Sequence, residues 1–321
     1  MTKIIKVSKE NPEKELIQEA VELLKKGEVV SFPTETVYGL GAILKPEAIK
    51  KIFLVKNRPQ DNPVIVHVSD KNMLLDLVKE IPENAENLMN VFWPGPLTLV
   101  FKKSEKVGKE ITCGLDTIAI RMPENKIALA LIEQVGALAA PSANLSGKPS
   151  PTKAEHVYHD LNNKIELIID GGNTDIGLES TVFDLESCQI LRPGKITKEQ
   201  IEKVIGEINL NTDESEKPKS PGMKYKHYSP GCEVILCEKN SIQEKINEEK
   251  KKGKIVGLIA FSEYSCDDSF VVRDLESLGR GLFNFFRELE KTCDVIIVEK
   301  VEEIGLGAAI MNRLKKASGI C

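Results

Sequence analysis

Residues 28–42 read EVVSFPTETVYGLGA, and the change of character along this stretch decides the fold class. Val29, Val30, Ser31 and Phe32 open it as a short, buried, β-branched strand. Pro33 then introduces the polar run Thr34, Glu35, Thr36, and Gly39 and Gly41 close it in a glycine-containing loop. The carboxyl end of a hydrophobic strand, meeting such a loop, is where α/β sheets tend to bind ligands. The same residues also suit a plain turn in which the two glycines supply unusual backbone angles.

The flanking sequence keeps to the α/β pattern. Upstream, NPEKELIQEAVELLKKG (11–27) predicts a helix capped by Asn11, with Pro12 in its first turn and Gly27 as its stop. Leu16, Ala20, Leu23 and Leu24 are its expected apolar stripe. Downstream, PEAIKKIFLVKNR (46–58) and KIALALIEQVG (126–136) predict further helices. NPVIVHV (62–68), PLTLVF (96–101), IELIIDGG (165–172), STVFDL (180–185) and QILRPG (189–194) predict strands. Their irregular alternation implies a twisted mixed sheet with helices. The apolar pattern then fades near 204–219. After it, CEVILCE, SIQEKINEEKKKG, KIVGLIAFSE, GRGLFNFFRELEKT, CDVIIVEKV and LGAAIMNRLKKAS give the order βαβαβα. That order implies a smaller Rossmann-like parallel-sheet domain. The expected boundaries are 1–208 for the first domain, 209–230 for a linker and 231–321 for the second.

The 321 residues fit about two domains at roughly 100–200 residues each. A net charge of −5 argues against a protein that works by broad phosphate neutralisation, although a local basic groove stays open. The seven cysteines are scattered and form no C-x-x-C pair, a reduced, intracellular pattern. No run reaches the ~18 apolar residues of a membrane span, and MTKIIKVSKENPEKE lacks the apolar core of a signal peptide. A cytoplasmic protein with no membrane partner is therefore expected. The phosphate loop G-x-x-x-x-G-K-[ST], G-x-G-x-x-G and G-x-S-x-G are all absent.

Polar residues recur where a plain core would not place them. Lys56 and Arg58 precede Pro59 at a helix end, where they can complement the helix dipole or clamp a phosphate. His67 lies on an otherwise apolar strand, five residues after Asn62, and a lone strand histidine reads first as structural. Arg121 ends an apolar strand that Thr117 opens; a charge there is costly unless it is paired or faces a cleft. APSANLSGKPSPT carries Ser142, Asn144, Ser146 and Ser150 on small-residue turns, good surfaces for a ribose or phosphate. Ser180 and Thr181 open one strand and Arg192 closes the next. His156 and His159 share a helix face and read as surface polar residues.

In this order, FPTETVYGLGA, the K-x-R of Lys56 and Arg58, NPVIVHV, WPGPLTLV, IAIRMP, the S-x-N of Ser142 and Asn144, and STVFDL…ILRPG resemble the YrdC-like family. The resemblance covers nearly the whole first domain, to about residue 208. PGMKYKHYSP (221–230) and the second domain extend it to the long, two-domain threonylcarbamoyl-AMP synthases. Lys224 and Lys226 stand where many members of that family carry arginine. The resemblance implies condensation of L-threonine, bicarbonate or CO2, and ATP, with Mg2+ and without protein metal ligands. It implies that Thr34, His67, Arg121 and Ser180 hold threonine, with Arg121 on its carboxylate. Lys56, Arg58, Asn62, Thr117, Ser142, Asn144, Ser150 and Arg192 would surround the nucleotide, with Lys56 and Arg58 also catalytic. The product would pass to a separate tRNA threonylcarbamoyl transferase, and direct tRNA contact stays open. Tyr225, His227 and Tyr228 would make the linker an active-site lid, with Tyr228 against the nucleotide. The rival readings are an RNA-binding module with a basic groove, a related carbamoyl-transfer enzyme, and a second domain that is only an interaction module.

Overall fold

The computed structural model of the protein describes residues 1–210 and 227–319. Strands of the first part are β1 (Lys3–Lys6), β2 (Val30–Phe32), β3 (Gly39–Ile43), β4 (Val66–His67), β5 (Leu97–Lys102) and β6 (Thr117–Arg121). They continue with β7 (Leu138–Ala139), β8 (Leu167–Asp170), β9 (Thr181–Asp184), β10 (Gln189–Arg192) and β11 (Asn209–Leu210). Its helices are α1 (Lys14–Lys25), α2 (Pro46–Lys56), α3 (Leu74–Leu77), α4 (Glu83–Phe92), α5 (Lys109–Thr112), α6 (Lys126–Val135), α7 (Ala154–Leu161) and α8 (Lys198–Ile205). The strands form one mixed sheet in the order β1-β8-β2-β3-β7-β4-β6-β5-β9-β10-β11. β11 joins this sheet beside β10, so the first domain runs slightly past the expected boundary at 208.

Helix α1 begins at Lys14, later than expected, with Glu13 at its cap and no side-chain capping bond. Its buried stripe is Ile17, Ala20, Val21 and Leu24, spaced i, i+3, i+4, i+7, while Leu16 is exposed. Gly39 and Gly41 are not in a turn: both lie within β3, antiparallel to β2. A β-carbon on Gly41 would overlap the Phe32 ring, so that glycine makes room for a fully buried aromatic side chain. β1, β7 and β11 are strands that the sequence pattern does not announce.

The second part holds β12 (Glu233–Cys237), α9 (Ile242–Lys251), β13 (Val256–Ala260), β14 (Asp268–Val271), α10 (Leu275–Leu289), β15 (Val295–Glu299) and α11 (Leu306–Ser318). Its four strands are all parallel, ordered β12-β15-β13-β14. The expected Rossmann-like sheet is therefore present, with β14 added at one edge. Alternation along β15 sorts its side chains by face. Val295 and Ile297 pack with Ile242 and Ile246 of α9. Ile296 and Val298 pack with Leu282, Phe283, Phe286 and Leu314 of α10 and α11. The latter cluster also takes in Val37 and Leu178, so the two domains share an apolar seam. No helix among the described residues is long and apolar enough to cross a membrane.

Candidate active site

Sheet geometry gathers the polar residues at one edge. β4 and β6 are parallel, and their register sets His67 beside Arg121 at the two strand ends. β9 starts and β10 ends at the same edge, bringing Ser180 and Arg192 there. The β2–β3 connection adds Thr34 and Thr36, and the segment after β7 adds Ser142, Asn144, Lys148 and Ser150. Together with Arg58, Glu179, His227 and Tyr228, these residues line one cleft.

One end of the cleft carries Arg121, which is 3% exposed. Its Nε donates to the Gly95 carbonyl (3.1 Å) and its Nη1 to Thr36 Oγ1 (2.9 Å), while Nη2 forms an ion pair with buried Glu35. Thr34 is a turn-former: its hydroxyl donates to the Val37 carbonyl (2.6 Å) and accepts from the Thr36 and Val37 amides. Ser180 Oγ shares a hydrogen bond with Thr98 Oγ1 (2.7 Å). Arg192 donates from Nε and Nη2 to the Ser180 carbonyl and from Nη2 to its hydroxyl. Burial, and then the charge of Arg121, pushes the His67 pKa down to about 3, so this imidazole is neutral near pH 7.

The other end is built on turns that bind themselves. Ser142 Oγ donates to Asn144 Oδ1 (2.6 Å), and Asn144 Nδ2 donates to the Leu145 and Lys148 carbonyls. The Ser150 hydroxyl donates to Glu179. Arg58 is aimed by backbone oxygens: Nε donates to Asn62 O (3.0 Å) and Nη2 to Pro63 O (2.8 Å). Burial lowers its pKa to about 10, which leaves it cationic at neutral pH.

Three expected nucleotide contacts do not line the cleft. Lys56 is buried behind it, its ammonium donating to the Ser142 and Asn144 carbonyls. It braces the S-x-N turn instead of presenting a charge, and burial holds its pKa well below the usual lysine value. Asn62 supports Arg58 through its carbonyl. Thr117 opens β6, about 13 Å from Arg121 at ~3.3 Å per residue, and borders a separate recess with Glu80 and Asp184. Conversely, Lys148 and Glu179 line the cleft although no sequence pattern singles them out. His156, expected at the surface, is buried and accepts from the Thr152 amide through Nδ1.

At the linker's end, Tyr228 adopts φ +64°, a left-handed conformation rare for an aromatic residue. Its ring stacks on Phe283 with centroids 5.3 Å apart, and the Ser229 amide donates to the Gly147 carbonyl (2.9 Å). Both His227 and Tyr228 thereby reach the cleft. Lys224, Tyr225 and Lys226 lie outside the described residues.

A family model described as "Telomere recombination" matches residues 22–194, and one described as "Threonylcarbamoyl-AMP synthase, C-terminal domain" matches residues 196–319. The chain is 51% identical to the threonylcarbamoyl-AMP synthase of Pyrococcus abyssi, covering 99% of this chain and 98% of that one. The chain belongs to the threonylcarbamoyl-AMP synthases. The Bacillus subtilis member is likewise 51% identical, covering 94% of this chain and 93% of its own. The crystal structure of the P. abyssi protein (Sua5) complexed with L-threonine superposes with a TM-score of 0.96 at 51% identity, covering 99% and 98% of the two chains. Membership makes the chain an adenylate-forming transferase and accounts for both domains, the mixed sheet and the four-stranded parallel one.

Proposed function

We propose that this chain condenses L-threonine, bicarbonate (as CO2) and ATP into threonylcarbamoyl-AMP and pyrophosphate. The observation that supports this most is a single cleft with two chemically distinct ends. His67, Arg121 and Ser180 meet at one end; Arg58, Ser142, Asn144 and Ser150 stand at the other. In the first step the threonine amine adds to CO2, forming an N–C bond and releasing a proton. In the second a carbamate oxygen attacks the α-phosphorus, and the bond to pyrophosphate breaks. Such transfers depend mainly on positioning and charge stabilisation, and the cleft offers Arg58, Arg121, Lys148 and Arg192 to anionic groups. Arg121 is the partner for the threonine carboxylate, which would share the guanidinium with Glu35. Neutral His67 and the Ser180 hydroxyl are polar partners for the rest of the amino acid.

Among the described residues, no three His, Cys, Asp or Glu side chains gather to hold a metal. The cleft carboxylate Glu179 pairs with Arg313, and buried Glu35 pairs with Arg121. Mg2+ would accompany the ATP phosphates. His227 and Tyr228, which line the cleft, would help keep water from a hydrolysable adenylate. The product would pass to a separate tRNA threonylcarbamoyl transferase in the cytoplasm.

The test is pyrophosphate release from ATP and Mg2+ with threonine and bicarbonate omitted in turn, plus mass spectrometry of the adenylate. Release that needs both, with a threonylcarbamoyl-AMP peak, is expected. Release with neither would mark a nucleotide hydrolase. Salt-dependent RNA binding without release would favour the RNA-binding reading instead.

A further inference from the structure

We propose that Arg287 and Arg313, both in the second domain, are positioning residues for the nucleotide end of the cleft. The inference rests on the synthase reading above and extends it to the second domain. Arg313 on α11 is fully buried. Its Nε donates to Glu179 Oε2 (2.9 Å) and its Nη1 to the Pro193 carbonyl (2.7 Å). The other oxygen of Glu179 accepts the Ser150 hydroxyl. The same guanidinium lies 5.5 Å from the centroid of the Tyr228 ring. One second-domain arginine thus fixes a cleft carboxylate, through it a cleft serine, and one face of the linker tyrosine.

Arg287 on α10 reaches the neighbouring residue of that loop. Its Nη1 and Nη2 donate to the two Asp160 oxygens (3.1 and 2.8 Å), and Nη2 also donates to the Pro149 carbonyl (2.6 Å). Asp160 in turn accepts from the Leu145 amide (3.2 Å). The loop from Leu145 to Ser150 is therefore held at both ends through these two arginines.

Simple docking of the domains does not require this arrangement. The apolar seam of Val37, Leu178, Phe283 and their neighbours already joins them. Burying an arginine is costly unless each fork is well paired. Here Arg287 grips the loop directly at Pro149, and Arg313 reaches it through Glu179 and Ser150. Lys56 braces Ser142 and Asn144, just before that loop, from the first domain.

The test uses the full chain and the variants R313K and R287K, which keep the charge but lose the planar fork. KM for ATP and for threonine is read from pyrophosphate release, and Kd for each ligand from calorimetry. The ATP constants should rise about tenfold, the size of one lost charged hydrogen bond, while the threonine constants stay within about twofold. E179Q combined with R313K should be no worse than E179Q alone, because both act through one relay. An equal rise for both ligands, a drop in melting temperature with both KM values unchanged, or additive effects would assign the arginines to domain docking and overturn the proposal. R287K tests the second grip separately, so an insoluble R313K protein leaves the proposal open to the same outcomes. A parent chain that binds neither ligand would instead sink the synthase reading.

Discussion

At the scale of single residues, the K-x-R pair shows how chemistry and geometry part ways. Lys56 and Arg58 are two positions apart and look like one clamp. Between them Asn57 takes φ +51° at the end of α2, and this left-handed residue turns the chain. Lys56 then points into the S-x-N turn and Arg58 into the cleft. Arg58→Ala should therefore lower kcat by about 10²–10³, the usual loss for one donor at developing charge, with little change in melting temperature. Pyrophosphate release measures it, and near-normal turnover would remove Arg58 from the mechanism. Arg121 was legible as a charge too costly for a plain strand end. Its partner Glu35 was not, because the pairing joins β6 to the β2–β3 connection across 86 residues of chain.

At the scale of elements, the long periodic segments were legible, and β1, β7 and β11 were not. α2, α6, α9, α10 and α11 carry enough turns for their apolar stripes to show. β7 is two residues long, and its neighbours β3 and β4, not its own sequence, hold it in the sheet. The β2–β3 hairpin shows the same dependence. Gly39 and Gly41 read as turn residues, yet Gly41 is required by the Phe32 ring lying across it. Gly41→Ala should destabilise the chain by about 1–3 kcal/mol through overpacking. Urea denaturation measures this, and an unshifted midpoint would show that Phe32 has room to move.

For the whole molecule, buried histidines set an acid limit. Burial, followed by Arg121, Arg287 and Arg58 respectively, lowers the pKa of His67, His156 and His227 to about 3 each. Their unfolded value is about 6.5. Between these values the unfolded chain binds protons that the folded chain refuses, so stability falls as pH drops below about 6.5. At full slope each histidine costs about 1.4 kcal/mol per pH unit. Chemical denaturation should show little change between pH 8 and 7 and a clear loss by pH 5. Equal midpoints at pH 7 and 5 would contradict this. The linker belongs to this scale as well. A chain cut before Ser220 loses His227, Tyr228 and both second-domain arginines, and should lose nearly all pyrophosphate release while the first-domain core stays folded. Full activity in the cut chain would leave the cover without a role.

The sequence by itself determined the class of fold, the two domains and the chemical identity of most cleft residues. It could do so because periodicity, turn chemistry and misplaced charge are local properties that survive in one dimension. Tertiary structure alone decided which of those residues face the cleft. The parallel register of β4 and β6 puts His67 beside Arg121, a left-handed Asn57 turns Lys56 away, and α10 and α11 deliver Arg287 and Arg313 to Asp160 and Glu179, over a hundred residues earlier. Those contacts join segments whose spacing along the chain carries no trace of their distance in space.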